Sequence, residues 1–265
     1  MRMNYEWNLL VIVGMVMLGI PTVQAGKPVK KLDLYLCIGQ SNMAGRGKLS
    51  PEVMDTIQYV YLLNAEDKFE PAVNPLNRFS TIGRGPTGEF LGPVYSFAKE
   101  MASKKHPVGL IVNARGGTGI RSWLKNPQEG KGHYYKEAVR RTKEAMKYGN
   151  LRAIIWHQGE SDSREPGLYM EKLKKLVADL RQDLGDEKLP VIVGEIADWR
   201  ANGTSEAFNK MLRTVPQHIS YAYCVSSREL VPLIDERDPH FSADSQIILG
   251  RRYAEAAYEA CYSQK

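Results

Sequence analysis

The chain holds only three cysteines in 265 residues: Cys37, Cys224 and Cys261. None lies in a C-x-x-C or other metal-type spacing, which removes a zinc ribbon or a dithiol redox motif and leads us to expect neither a metal nor an organic cofactor. Cys37 and Cys224 sit in apolar runs and are expected as small buried side chains. One disulfide would suit an oxidising compartment, but an odd count does not require it. Long uncharged apolar runs are scarce as well. Leu9–Ile20 (LLVIVGMVMLGI) spans 12 residues, short of the roughly 20 that a bilayer crossing needs. Basic runs interleaved with aromatics are missing, despite a formal net charge of +6. Lys136, Arg140, Arg141 and Lys143 alternate with Glu137 and Glu144 as on a solvated helix face, so nucleic acid is not an expected partner. Internal repeats, low-complexity tracts and a domain-splitting linker are absent too.

What is present begins with a leader. Arg2 precedes the Leu9–Ile20 run, Pro21 breaks it, and Val23-Gln24-Ala25 supplies the small −3/−1 residues that signal peptidase reads. Residues 1–25 are expected to be a secretory signal peptide; the competing reading is an uncleaved N-terminal anchor. Export to the periplasm or the medium follows, with no membrane association after cleavage. Residues 26–265 then form a single domain of 240 residues, enough for a substantial core.

Strand and helix signals alternate along that domain. Strands are expected at 32–38, 59–63, 108–112, 153–156, 190–193 and 221–225. Helices are expected at 94–102, 133–146, 168–184, 207–212 and from 243 to about 261. Residues 64–90, rich in Asn, Pro and Gly, read as loop. The helix at 168–184 carries apolar residues at 168, 173, 176, 177, 180 and 184. Short strands alternating with longer helices predict a three-layer α/β/α sandwich around a mostly parallel sheet. Chemistry in such a fold gathers in loops beyond the carboxyl ends of the strands, here those after 38, 112, 156 and 225.

The first of these loops is Gly39-Gln40-Ser41-Asn42-Met43-Ala44-Gly45. A serine at a strand-to-helix turn is either a nucleophile with backbone N–H groups beside it or a simple helix cap. The second, Asn113 to Trp123, is glycine-rich at Gly116, Gly117 and Gly119, which lets backbone approach a substrate closely. The third, Trp156-His157-Gln158-Gly159-Glu160-Ser161-Asp162, crowds polar groups at a strand end. Strand alternation points His157 away from Gln158 and favours a structural role for it. The fourth, Asp238-Pro239-His240-Phe241-Ser242, sets an imidazole, the natural base for a serine hydroxyl near neutral pH, just before the last helix.

The block GQSNMAG after a strand resembles the first block of the SGNH hydrolases, in the branch of acetylxylan esterases and sialate O-acetylesterases. The resemblance runs from about Asp33 to Ala256. It implies a flavodoxin-like sandwich and a serine esterase acting on an acetylated carbohydrate. By that likeness Ser41 is the nucleophile and His240 the base. The oxyanion is held by the Ser41 N–H, the Gly117 N–H (or that of Gly116) and the Gln158 amide, glutamine standing where the superfamily has asparagine. Relatives often carry the acid three residues before the histidine. Position 237 is arginine here, so the acid is either Asp238 or Glu160, with Asp235 a remoter choice. The substrate implied is acetylated xylan or a related glycan, with an acetylated sialic acid as the alternative. The reading from another class is a glycan-binding module without catalysis. Trp123, Trp199 and Tyr134 are candidates either for sugar stacking or, as is commoner for aromatics in such domains, for packing.

Overall fold

Every residue of Leu32–Gly39 is buried, and its alternate side chains belong to different cores. Leu32, Leu34, Leu36 and Ile38 pack to one side of the sheet, Tyr35 and Cys37 to the other. That two-sided burial makes the segment the centre of an α/β/α sandwich. The computed structural model describes residues 31–83, 90–126, 133–199 and 204–263; the expected signal peptide lies outside them.

In chain order the elements are β1 (Leu32–Gly39), α1 (Ser41–Ala44), β2 (Val60–Leu63), β3 (Phe69–Pro71), α2 (Val94–Met101), β4 (Val108–Ala114), α3 (His133–Ala145), β5 (Gly149–His157), α4 (Pro166–Leu184), β6 (Val191–Gly194), α5 (Thr204–Arg213), α6 (Val215–His218), β7 (Ala222–Val225) and α7 (Ala243–Tyr262). Seven strands form one sheet in the order β3-β2-β4-β1-β5-β6-β7. All pairings are parallel except β2 with β3. Helices α3, α4 and α5 supply side chains to one core and α2 and α7 to the other. This is the three-layer sandwich expected from the sequence.

Two expectations need correction. Phe69–Pro71 is a strand inside the stretch read as loop; three residues ending in proline carry no alternation to betray it. Leu168 was placed on the apolar face of α4 but is 54% exposed. Tyr169 and Met170 face the core in its place. The helix runs from Pro166 in its first turn to a left-handed Gly185 whose N–H caps the Arg181 and Gln182 carbonyls. All three cysteines are free thiols. Cys37 is buried as expected, whereas Cys224 and Cys261 are only partly buried. Burial still pushes Cys224 up to about 12 and Cys261 up to about 11, which disfavours their thiolates.

Strand order positions the chemistry. From β1 the chain leaves toward β2 and β4, then returns past β1 to β5, so β1 lies at the switch point where ligand crevices open in such sheets.

Candidate active site

Ser41 is delivered to that crevice by the end of β1. Gly39 has φ +141°, and a Cβ there would lie 2.0 Å from the His157 carbonyl oxygen, so only glycine lets β1 pass β5 this closely. Ser41 then opens α1 and is buried, 4% exposed.

Its hydroxyl meets the loop before α7. The Ser41 Oγ is 3.0 Å from the His240 Nε2, and the His240 Nδ1 is 2.7 Å from the Asp238 Oδ1. The same Asp238 oxygen accepts the His240 backbone N–H at 3.0 Å, which explains how an acid only two residues away reaches the ring. Three residues curl so that one carboxylate oxygen holds both main chain and imidazole. The Trp199 Nε1–H donates to the Asp238 carbonyl at 2.8 Å, and the His240 carbonyl accepts the Leu233 N–H at 2.8 Å.

Both ring nitrogens of His240 are thus occupied, leaving no place for Glu160, the other carboxylate considered. Glu160 is instead a buried anion bound to Asn42, whose Nδ2 donates to its Oε1 at 2.6 Å, with the His157 Nε2 3.6 Å from the same oxygen. Burial opposes its charge, but the adjacent His157 ring, backbone N–H and Asn42 amide outweigh that and hold its carboxyl below the usual range. Asp235, the remoter choice, pairs with the exposed Arg237 and accepts the Asp238 N–H on its carbonyl. His157 is fully buried with its Nδ1 2.9 Å from the Tyr253 hydroxyl, the structural position its strand alternation implied.

The glycine-rich loop follows β4. Gly117 takes a left-handed φ of +69° and is exposed, next to Gly116, where a Cβ would lie 3.4 Å from the Ser41 Cβ. Among the described residues the Ser41 and Gly117 N–H groups meet no acceptor. Gln158 does not fit the oxyanion role expected of it. Its Nε2 lies 3.0 Å from the Gln40 Oε1, 3.0 Å from the Thr118 carbonyl and 2.6 Å from the Asp162 Oδ2. Two protons facing three acceptors are fully committed, and the residue is completely buried. Its amide ties the glycine loop to the β5 loop, with Asp162 also accepting the Ile120 N–H at 2.9 Å. Trp123 and Tyr134 are core residues, 0% and 4% exposed, so they pack rather than stack on sugar. Trp199 is half-buried against Phe241. Among the described residues no group of three His, Cys, Asp or Glu could hold a metal ion.

A family model described as "Carbohydrate esterase, sialic acid-specific acetylesterase" matches residues 31–259. The chain belongs to this family. It is accordingly a carboxylic ester hydrolase with the SGNH fold. A probable carbohydrate esterase of Arabidopsis thaliana is 29% identical over 258 residues, 89% of this chain and 93% of its own. The X-ray structure of that plant protein superposes with a TM-score of 0.75 at 27% identity, covering 88% of this chain and 100% of the plant chain. A carbohydrate acetylesterase of Xanthomonas citri shares the fold, with a TM-score of 0.63 at 20% identity, over 88% of this chain and 57% of its own.

Two residues of this esterase's site went unread in the sequence. Asn42, quoted only as part of a block, is fully buried. It donates to Glu160 and to the Pro239 carbonyl (3.0 Å) and accepts from the Phe241 N–H (3.2 Å) and the Gln246 amide (3.3 Å). It therefore grips both neighbours of His240. Arg46, one turn beyond Ser41, reaches the glycine loop: a Cβ on Gly116 would meet the Arg46 Nη2 at 2.6 Å and the Ser41 Cβ at 3.4 Å. Asn42 gave no signal that set it apart from its polar neighbours Gln40 and Ser41. For Arg46 the signal was a cation in a loop without a nearby acid.

Proposed function

We propose that the protein is an exported serine esterase that removes O-acetyl groups from a carbohydrate, acetylated xylan or a related glycan, through an acetyl-Ser41 intermediate. The observation that carries this reading is the chain of contacts from the Ser41 Oγ through His240 to Asp238, at 3.0 and 2.7 Å. Ser41 attacks the acetyl carbonyl while the His240 Nε2 takes its proton, and Asp238 holds the Nδ1–H tautomer and steadies the imidazolium. The Ser41 and Gly117 N–H groups receive the oxyanion, the use to which two unengaged donors beside a nucleophile lend themselves. His240 then returns the proton to the departing sugar oxygen. Water, deprotonated by the same imidazole, attacks the acetyl carbon and releases acetate with Ser41 restored.

The family description favours a second substrate, an O-acetylated sialic acid. Export rests on the leader-like pattern of residues 1–25. The test is acetate release from acetylated xylan, an O-acetylated sialic acid and an aryl acetate by residues 26–265 and by the Ser41→Ala variant. Release by the wild type that falls at least about a thousandfold in Ser41→Ala supports the mechanism, by the magnitude attached to removing a nucleophile. Equal release by both proteins would sink it. The better-cleaved acetate decides between xylan and sialate.

A further inference from the structure

Among the described residues Arg46, beside the nucleophile, is a cation without a counter-charge. Its backbone is fixed: the Arg46 and Gly47 N–H groups both donate to the Leu91 carbonyl at 3.1 and 3.0 Å, and the Leu91 N–H returns to Gly47 at 2.8 Å. Its guanidinium lies over Gly116, where a Cβ would come within 2.6 Å of Nη2. The two distances from that point put Nη2 within about 6 Å of the Ser41 Cβ. On its other side the guanidinium lies 6.0 Å from the ring centre of Phe90, a half-exposed aromatic. Its Nε is buried with no hydrogen-bond partner. Among the described residues no carboxylate pairs with it; Asp238 serves His240, and Glu160 serves Asn42.

Partly desolvated and, among the described residues, unpaired, this arginine makes a ready fork for a planar anion. Phe90 adds a flat apolar surface of the kind that carries a pyranose ring. We infer that Arg46 and Phe90 form a binding subsite for the carboxylate of an acidic sugar next to the acetyl ester, so that the enzyme prefers acetylated sugars bearing a negative charge. The inference rests on the esterase reading and narrows its substrate. A uronic acid on xylan and the carboxylate of a sialic acid present the same chemistry. The positive charge of the whole chain works in the same direction by drawing polyanionic glycan toward it.

The experiment compares each acidic substrate with its own methyl ester, which removes the charge and keeps the shape. The probes are an acetylated xylo-oligosaccharide carrying glucuronic acid and an O-acetylated sialic acid. The wild type is expected to show a KM about 10- to 100-fold lower for the acid than for the methyl ester, the range of a charge-assisted fork. Arg46→Gln is expected to bring that ratio within about twofold of one, and Arg46→Lys to keep part of it, since a lysine supplies charge without the fork. Rising salt is expected to shrink the wild-type ratio, a reading that needs no variant to fold. A wild-type ratio near one with both probes, or a ratio unchanged by Arg46→Gln, overturns the inference. A ratio seen with one probe only identifies which acid the subsite takes. Calorimetric binding of acid and methyl ester to Ser41→Ala judges Arg46 separately. Should the wild type release no acetate at all, the esterase reading fails while that binding ratio still decides the subsite.

Discussion

At the scale of single residues, Glu160 shows how a polar group singled out for chemistry serves structure instead. Its carboxyl is held below the ordinary range by His157, backbone N–H and Asn42 against the cost of burial. A depressed folded-state pKa means that the unfolded chain binds the proton more readily. Glu160 therefore contributes stability above the ordinary carboxylate pKa of about 4.3, and that contribution is lost as pH falls through the lowered folded value. Glu160→Gln is expected to melt below the wild type near neutrality. The gap should narrow as the buffer is taken below about pH 4, where the wild type loses the same charge. Melting curves across pH 3–8 check this, and a gap independent of pH would contradict it. The sequence favoured Asp238 but left Glu160 open, because spacing along a chain does not say which way a carboxylate faces. The tight turn through Asp238, Pro239 and His240 decided it. Gln158 misled for a related reason: residue type announces a donor, but only tertiary structure shows that its protons are already committed to Gln40, Thr118 and Asp162.

Among elements, the important relation is between α1 and the loop that precedes α7. Asn42 stands next to the nucleophile and holds Pro239 and Phe241 on either side of the base, so α1 and the loop are aligned through one amide. Replacing it with alanine leaves the Phe241 N–H, the Gln246 amide and a Glu160 oxygen without that partner. Misalignment worth about 1–3 kcal/mol, the cost of such unmet groups, corresponds to a kcat about 5- to 150-fold lower. KM should stay within about threefold, because Asn42 touches no substrate. Steady-state kinetics on an aryl acetate separate the two parameters, and a change confined to KM would refute a positioning role. Most helices and strands were legible because apolar periodicity survives in α2, α3, α4 and α7. The four-residue α6 and the three-residue β3 carry too few positions for any period to register. The exposed Leu168 shows the related weakness of helix ends, where an apolar residue continues the pattern after the packing has stopped.

For the whole molecule, alternation of element types was enough to foresee the sandwich, and the rule about strand ends was enough to foresee where the loops converge. Strand order was not legible, because every parallel arrangement buries similar runs of valine, isoleucine and leucine. The leader expected at residues 1–25 yields the prediction proper to this scale. A chain expressed with all 265 residues in a bacterial host is expected in the periplasm or medium with Gly26 at its N-terminus, as intact mass and N-terminal sequencing would show. Recovery in the cytosol with residues 1–25 retained would count against export. The attacking hydroxyl and the imidazole that activates it lie 199 positions apart, at opposite ends of the folding domain. A ribosome has therefore made Ser41, β1 and most of the sheet long before it reaches His240, and for all of that interval the nucleophile is without its base. Hydrolysis begins as a property of the finished polypeptide. A chain that threads through a membrane unfolded would carry its chemistry switched off and acquire it only when the loop before α7 closes against α1 on the far side.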